Sequence, residues 1–132
     1  MLESVTSNRS VESAVAALEE CASEFGLSVL NVHDLAQKMT DKGFPFGTPV
    51  RVVDICSAQH ANQVLSARIE VATAMPCRIA AYEKDGRTVL STLRPTVLLP
   101  MFSEEPGGDE ALTPVAEEIE RRIVALMRHV AE

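Results

Sequence analysis

Between Cys77 and Leu93 the chain carries its most constraining feature, two apolar runs joined by Asp85-Gly86. An Asp-Gly pair tolerates the positive φ that a two-residue hairpin loop demands, so this segment predicts a tight antiparallel hairpin. With Asp85 and Gly86 as the loop, Tyr82 is expected opposite Val89, Ala81 opposite Leu90 and Ala80 opposite Ser91. One face then carries Ile79, Ala81 and Leu90, and the other Ala80, Tyr82, Val89 and Leu93. Both faces are apolar enough to need cover. A chain of 132 residues has few helices to spare for two faces. The expectation is therefore a homodimer packed partly through the sheet.

The remaining elements follow from periodicity and from start and stop residues. Ser10 is a suitable N-cap, and Val11, Ala14, Val15, Leu18, Ala22 and Phe25 recur at helical spacing up to Gly26. Leu27 to Val32 reads as a short strand, and Asp34 as the cap of a helix over 35–42 closed by Gly43. The stretch 44–49 (FPFGTP) is a loop by its Pro and Gly content, and its two phenylalanines predict a packed lid. Val50 to Cys56 (VRVVDIC) is the most β-branched run and reads as a buried strand. Ser57 caps a helix reaching about Arg68. Thr96 to Phe102 reads as a short helix or turn, and Ser103 to Leu112 as an acidic loop. Thr113-Pro114 then opens the last helix, where Glu117 to Arg121 and Glu118 to Arg122 are expected as pairs on the outer face. A strand over Leu2 to Thr6 is weakly signalled. This order predicts an α+β, two-layer fold with a mixed β-sheet and a hairpin, packed by helices, as a single domain over 1–132.

Composition narrows the function classes. The net charge is −7 and aromatic residues are 4%, with no Trp. An acidic surface grips phosphates poorly, and few rings leave little on which to stack bases, so no nucleic-acid partner is expected. No apolar run reaches the length of a membrane helix, so no membrane partner is expected either. Met1-Leu2-Glu3-Ser4 lacks the basic and apolar regions of an export signal, which points to the cytoplasm. The motifs GxGxxG, GxxxxGK[ST], HExxH and GxSxG are missing, and no complete catalytic set replaces them.

Chemistry is concentrated in the cysteines. Three of them, none in a CxxC pair, argue against a disulfide scaffold or a structural zinc site. Cys21 falls beside the stripe of the first helix and reads as a core residue. Cys56 ends a strand immediately before a helix start, where unpaired N–H groups favour a thiolate. His60, four residues on, is placed to reach back toward it, giving nucleophilic or redox chemistry or two ligands for a soft metal or haem. The plainer alternative is a buried thiol beside an exposed His60. Cys77 opens the hairpin and Arg78 follows it. With the hairpin beside the 50–56 strand, the two sulfurs approach closely enough for a reversible pair; the alternative for Cys77 is core packing. His33, His60 and His129 are far apart in sequence, and His129 reads as solvated.

The segments 25–30 (FGLSVL), the strand ending in Cys56, and 75–86 (MPCRIAAYEKDG) together resemble the bacterial and archaeal family called domain of unknown function 302. The resemblance spans about residues 10–131 and is most specific at Pro76-Cys77-Arg78-Ile79 and at Cys56. It implies a small α+β domain, usually one per chain and found as a homodimer, and it directs attention to Cys56 and Cys77. The chain departs from the family pattern after Cys56, with Ser57-Ala58 where the family commonly has Asn-Pro.

The expected function is thus a small dimeric ligand-binding or sensing module without catalytic turnover. Its ligand, a small apolar molecule, a haem-like cofactor or a soft metal, is expected near Cys56 and Cys77, with His60 and Arg78 as further ligand-binding or redox residues. A second expectation is thiol redox or sulfur transfer by Cys56 with Cys77 as resolving partner. A third is a purely structural interaction protein.

Overall fold

The computed structural model describes residues 1–103 and 112–132, so the acidic loop expected over 103–112 falls almost wholly outside the described residues. Five strands form one sheet: β1 Leu2–Ser7, β2 Ser28–Asp34, β3 Val50–Cys56, β4 Cys77–Lys84 and β5 Arg87–Leu93. They lie side by side in the order β1-β5-β4-β3-β2. Among the described residues, five α-helices accompany them: α1 Val11–Cys21, α2 Leu35–Asp41, α3 Ala58–Ala67, α4 Pro95–Leu98 and α5 Thr113–Ala131. Short 3₁₀ segments cover Ala22–Phe25, Ile69–Ala74 and Leu99–Phe102.

The two-layer α+β architecture stands, but the sheet is antiparallel throughout rather than mixed. Strand–helix alternation suggested parallel neighbours because a crossover helix normally returns the chain in the same direction. Here β1 and β2 do run the same way, but α1 carries the chain from one edge of the sheet to the other, so they never pair. The α2 and α3 connections each return the chain to the adjacent strand in the opposite direction.

Local chemistry accounts for the boundaries. Ser10 accepts from the Ser13 amide at 3.0 Å and starts α1. Gly26, at φ +71°, ends the helical stretch, and a Cβ there would run into the Arg122 guanidinium. Asp34 accepts from the Gln37 amide at 3.0 Å and starts α2. The hairpin turns on Asp85 (φ 54°) and Gly86 (φ 77°), giving the expected pairs Tyr82–Val89, Ala81–Leu90 and Ala80–Ser91. The N-terminal strand is present and pairs with β5, sealed by a 2.7 Å hydrogen bond between Ser4 Oγ and Ser91 Oγ.

Three further expectations change. Phe44 and Phe46 do not form a packed lid; they are 73% and 45% exposed. Ser57 stands at the start of α3, but its hydroxyl does not cap it. On α5, Glu118 takes both Arg121 (2.6 Å) and Arg122 (2.9 Å), leaving no Glu117–Arg121 pair. Both arginines donate hydrogen bonds to Glu118 and hold its carboxyl down to about 2.

The alternation of each strand divides the sheet into two unlike faces. Val53, Ile55, Ile79, Ala81 and Leu90 point under α1 and α5 and form the main core with Leu18, Ile123, Leu126 and Met127. A smaller cluster of Val64, Val71, Leu99, Leu112 and Ala116 lies beyond it, and Ile119 touches both. The other face carries Val52, Asp54, Arg78, Ala80, Tyr82, Ser91 and Leu93 by the same alternation.

Candidate functional site

Where the two apolar clusters meet, packing is incomplete. A cavity of about 40 Å³ remains at the seam, walled by Leu27, Ile55, Val64, Val71, Leu99 and Ile119. Cys56 and Cys77 both line it, as does Met75. The reason is register: Ile55 pairs with Cys77, so the last residue of β3 and the first of β4 sit diagonally across the ladder at the same end of the sheet. The juxtaposition of these two residues is thus present in the fold. Neither is in a disulfide.

The electrostatics differ from those expected at a strand-to-helix junction. Burial pushes the Cys56 thiol up. Burial, with a further contribution from charge on Cys56, pushes Cys77 up to about 11. At neutral pH both groups are therefore protonated, weakly polar surfaces rather than thiolates.

His60 is not delivered to Cys56. It is 6% exposed and shares a 2.7 Å hydrogen bond, through Nδ1, with Ser57 Oγ. That bond also explains why the Ser57 hydroxyl does not cap α3. Burial first and the nearby Arg122 second push His60 down, with Glu118 opposing them. His60 is not among the residues lining the cavity. Arg78 is likewise separate from it, because it points to the opposite face of β4 from Cys77. Cys21 packs against the main core as expected, and His129 is an exposed residue whose ring lies 5.5 Å from that of Phe25.

Sequence reading missed a second constellation. Asp54, in the middle of β3, is 9% exposed and accepts from His33 Nε2 at 2.8 Å. Lys38 Nζ lies 2.9 Å from the other ring nitrogen, His33 Nδ1, in hydrogen-bond contact. Arg78 Nε stands 3.3 Å from the other carboxylate oxygen, Asp54 Oδ1, without the alignment of a hydrogen bond. The available signal was an aspartate inside the apolar run VRVVDIC, since a buried carboxylate requires a partner. Strand order then supplies His33 and Arg78 from the two neighbouring strands.

Among the described residues, no group of three or more His, Cys, Asp or Glu side chains is arranged to hold a metal ion. No helix among them is long and apolar enough to cross a membrane.

The profile of a family described as domain of unknown function DUF302 matches residues 3–130. The crystal structure of an uncharacterized conserved protein DUF302 from Bacillus stearothermophilus superposes with a TM-score of 0.88 at 27% identity, covering 99% of this chain and 98% of that one. No functionally curated protein matches at a significant level.

Proposed function

This chain belongs to the DUF302 family, and we propose that it is a binding domain for a small, neutral, apolar molecule seated between Cys56 and Cys77. The observation that carries this reading is the thiol-lined cavity at the seam of the two clusters. Its walls are apolar, and its two thiols are held in their uncharged forms. An uncharged guest suits such a site, because an ion there would lose hydration with no opposite charge to replace it. A volume of about 40 Å³ falls well below the roughly 300–1,000 Å³ of ordinary cofactor pockets, which disfavours a haem-like group. Raised thiol pKa values also disfavour redox or sulfur-transfer chemistry, which requires a thiolate.

Thermal unfolding with apolar probes small enough for a cavity of about 40 Å³, such as xenon and methane, tests the proposal. At about 100 times Kd a bound compound adds roughly 2.7 kcal/mol to the unfolding free energy. Ala61→Leu, which fills the cavity, is expected to abolish that gain. No gain with any compound, or an equal gain in the variant, would remove the proposal.

A homodimer remains part of this reading. The flank formed by β2, α2 and the following loop carries Leu30, Leu35, Met39, Phe44 and Phe46, all exposed. These residues belong to the β2 edge strand and to the segment that directly follows it, where a second copy would cover them. Light scattering should give twice the 14.3 kDa chain mass, and Phe44→Ser with Phe46→Ser should return the single-chain mass. A monomer at all concentrations would exclude it.

A further inference from the structure

The face of the sheet opposite the main core holds a groove of about 300 Å³, at the lower end of the size range of small-molecule sites. Its apolar walls include Leu2, Val52, Ala80, Leu93 and Leu98. Leu2 and Leu93 are roughly half exposed, which is unusual for leucines placed together on one sheet face. Among the residues lining this groove, Arg78 is the only charged one.

Arg78 is held in an informative way. Its Nε lies against Asp54, while its side chain remains 62% exposed. Asp54 is itself fixed by His33, which is in turn bonded to Lys38. One edge of the guanidinium thus faces a fixed carboxylate without a hydrogen bond to it, and among the described residues no hydrogen bond engages the terminal nitrogens. An arginine whose Nε edge is turned toward such a carboxylate leaves those two nitrogens as a fork, the geometry that meets a second carboxylate through two parallel hydrogen bonds. The overall charge of −7 provides no long-range attraction for anions, so recognition here depends on this local fork.

We infer that this groove binds an amphipathic monocarboxylate, with the acid group on Arg78 and the hydrocarbon portion along Leu2, Leu93 and Leu98. One guanidinium with no lysine beside it in the groove matches a single negative charge better than a phosphate dianion. The apolar length of the groove supplies the remainder of the contact. Leu93 and Leu98 border the Cys56–Cys77 cavity as well, but Arg78, which carries the recognition, lines only this groove.

Calorimetric titration of the full chain with octanoate tests the inference, with octanol and octyl phosphate as parallel probes. Octanoate is expected to bind more tightly than either. Arg78→Leu should weaken octanoate at least tenfold, the loss expected for one charge-assisted contact, and Arg78→Lys should restore only part of it. Ala61→Leu should leave octanoate binding unchanged, which separates this result from the fate of the cavity proposal. Equal binding of octanol, undiminished binding by Arg78→Leu, or tighter binding of octyl phosphate would overturn it. So would conversion of a dimer to monomer by Leu2→Ser with Leu93→Ser, since a second copy would then occupy the groove.

Discussion

Ile79→Ala is expected to lower the unfolding free energy by about 2–5 kcal/mol, the cost of emptying a fully buried β-branched site. Ile79 has no exposed surface and stands on β4, a central strand, beneath the main helical layer. Loss of its side chain removes contacts to both the sheet and the helices. For a domain of this size the midpoint should fall by roughly 8–20 °C. Ile79→Val, which keeps the branched β-carbon, should cost only about 0.5–1.5 kcal/mol. Urea unfolding of the three proteins measures both effects. A loss below about 1 kcal/mol for the alanine variant would mean that the sheet and helices are not joined through this position.

Alkylation of the native protein by iodoacetamide at pH 7 should modify Cys77 on the order of 10²-fold more slowly than a free thiol. With its pKa pushed up to about 11, only about one molecule in 10⁴ carries the thiolate at that pH, against a few per cent for an unperturbed cysteine. Peptide mapping over time measures the rate directly. The same displacement ties stability to pH. Folding raises the Cys77 pKa, so the folded state holds this proton more tightly than the unfolded chain does. The resulting stabilisation is complete below about pH 9 and is lost as pH rises toward 11, by up to about 3 kcal/mol. An alkylation rate equal to that of a free thiol would contradict the protonated site and revive thiolate chemistry.

What the sequence made legible was largely local. Asp85-Gly86 determines its own turn, and the turn determines three cross-strand pairs, so the hairpin register could be read directly. Ser10 with Gly26 and Asp34 with Gly43 bracket their helices through caps that operate within a few residues. The direction of the sheet was not legible, because it depends on which strands become neighbours. β1 finds its partner just over ninety residues away, in the Leu2–Leu93 pair, where short-range patterning is silent. The exposure of Phe44 and Phe46 was missed for a related reason: hydrophobicity shows that a residue benefits from cover, not whether the fold supplies it.

The candidate site divides along the same line. Cys56 and Cys77 could be singled out as strand-end residues, and the β3–β4 pairing brings them to one cavity. His60 could not be placed, since helical spacing allows it to face either Cys56 or Ser57, and the Ser57 hydroxyl takes it. The Lys38–His33–Asp54–Arg78 chain draws on β2, β3, β4 and α2, and no spacing rule in one dimension anticipates such a gathering.

Cys77 and Arg78 are consecutive residues, yet one lines a small apolar cavity and the other a groove that holds a charge. At this point of β4 a single extended backbone separates two chemically opposed surroundings, which share Leu93 and Leu98 as a common border. Which residue belongs to which compartment is decided by parity alone, and parity is set at the far end of the strand by a two-residue turn. Sliding β4 by one position would exchange a thiol for a guanidinium in both places at once. Asp85-Gly86 thereby governs the identity of two sites that it does not touch.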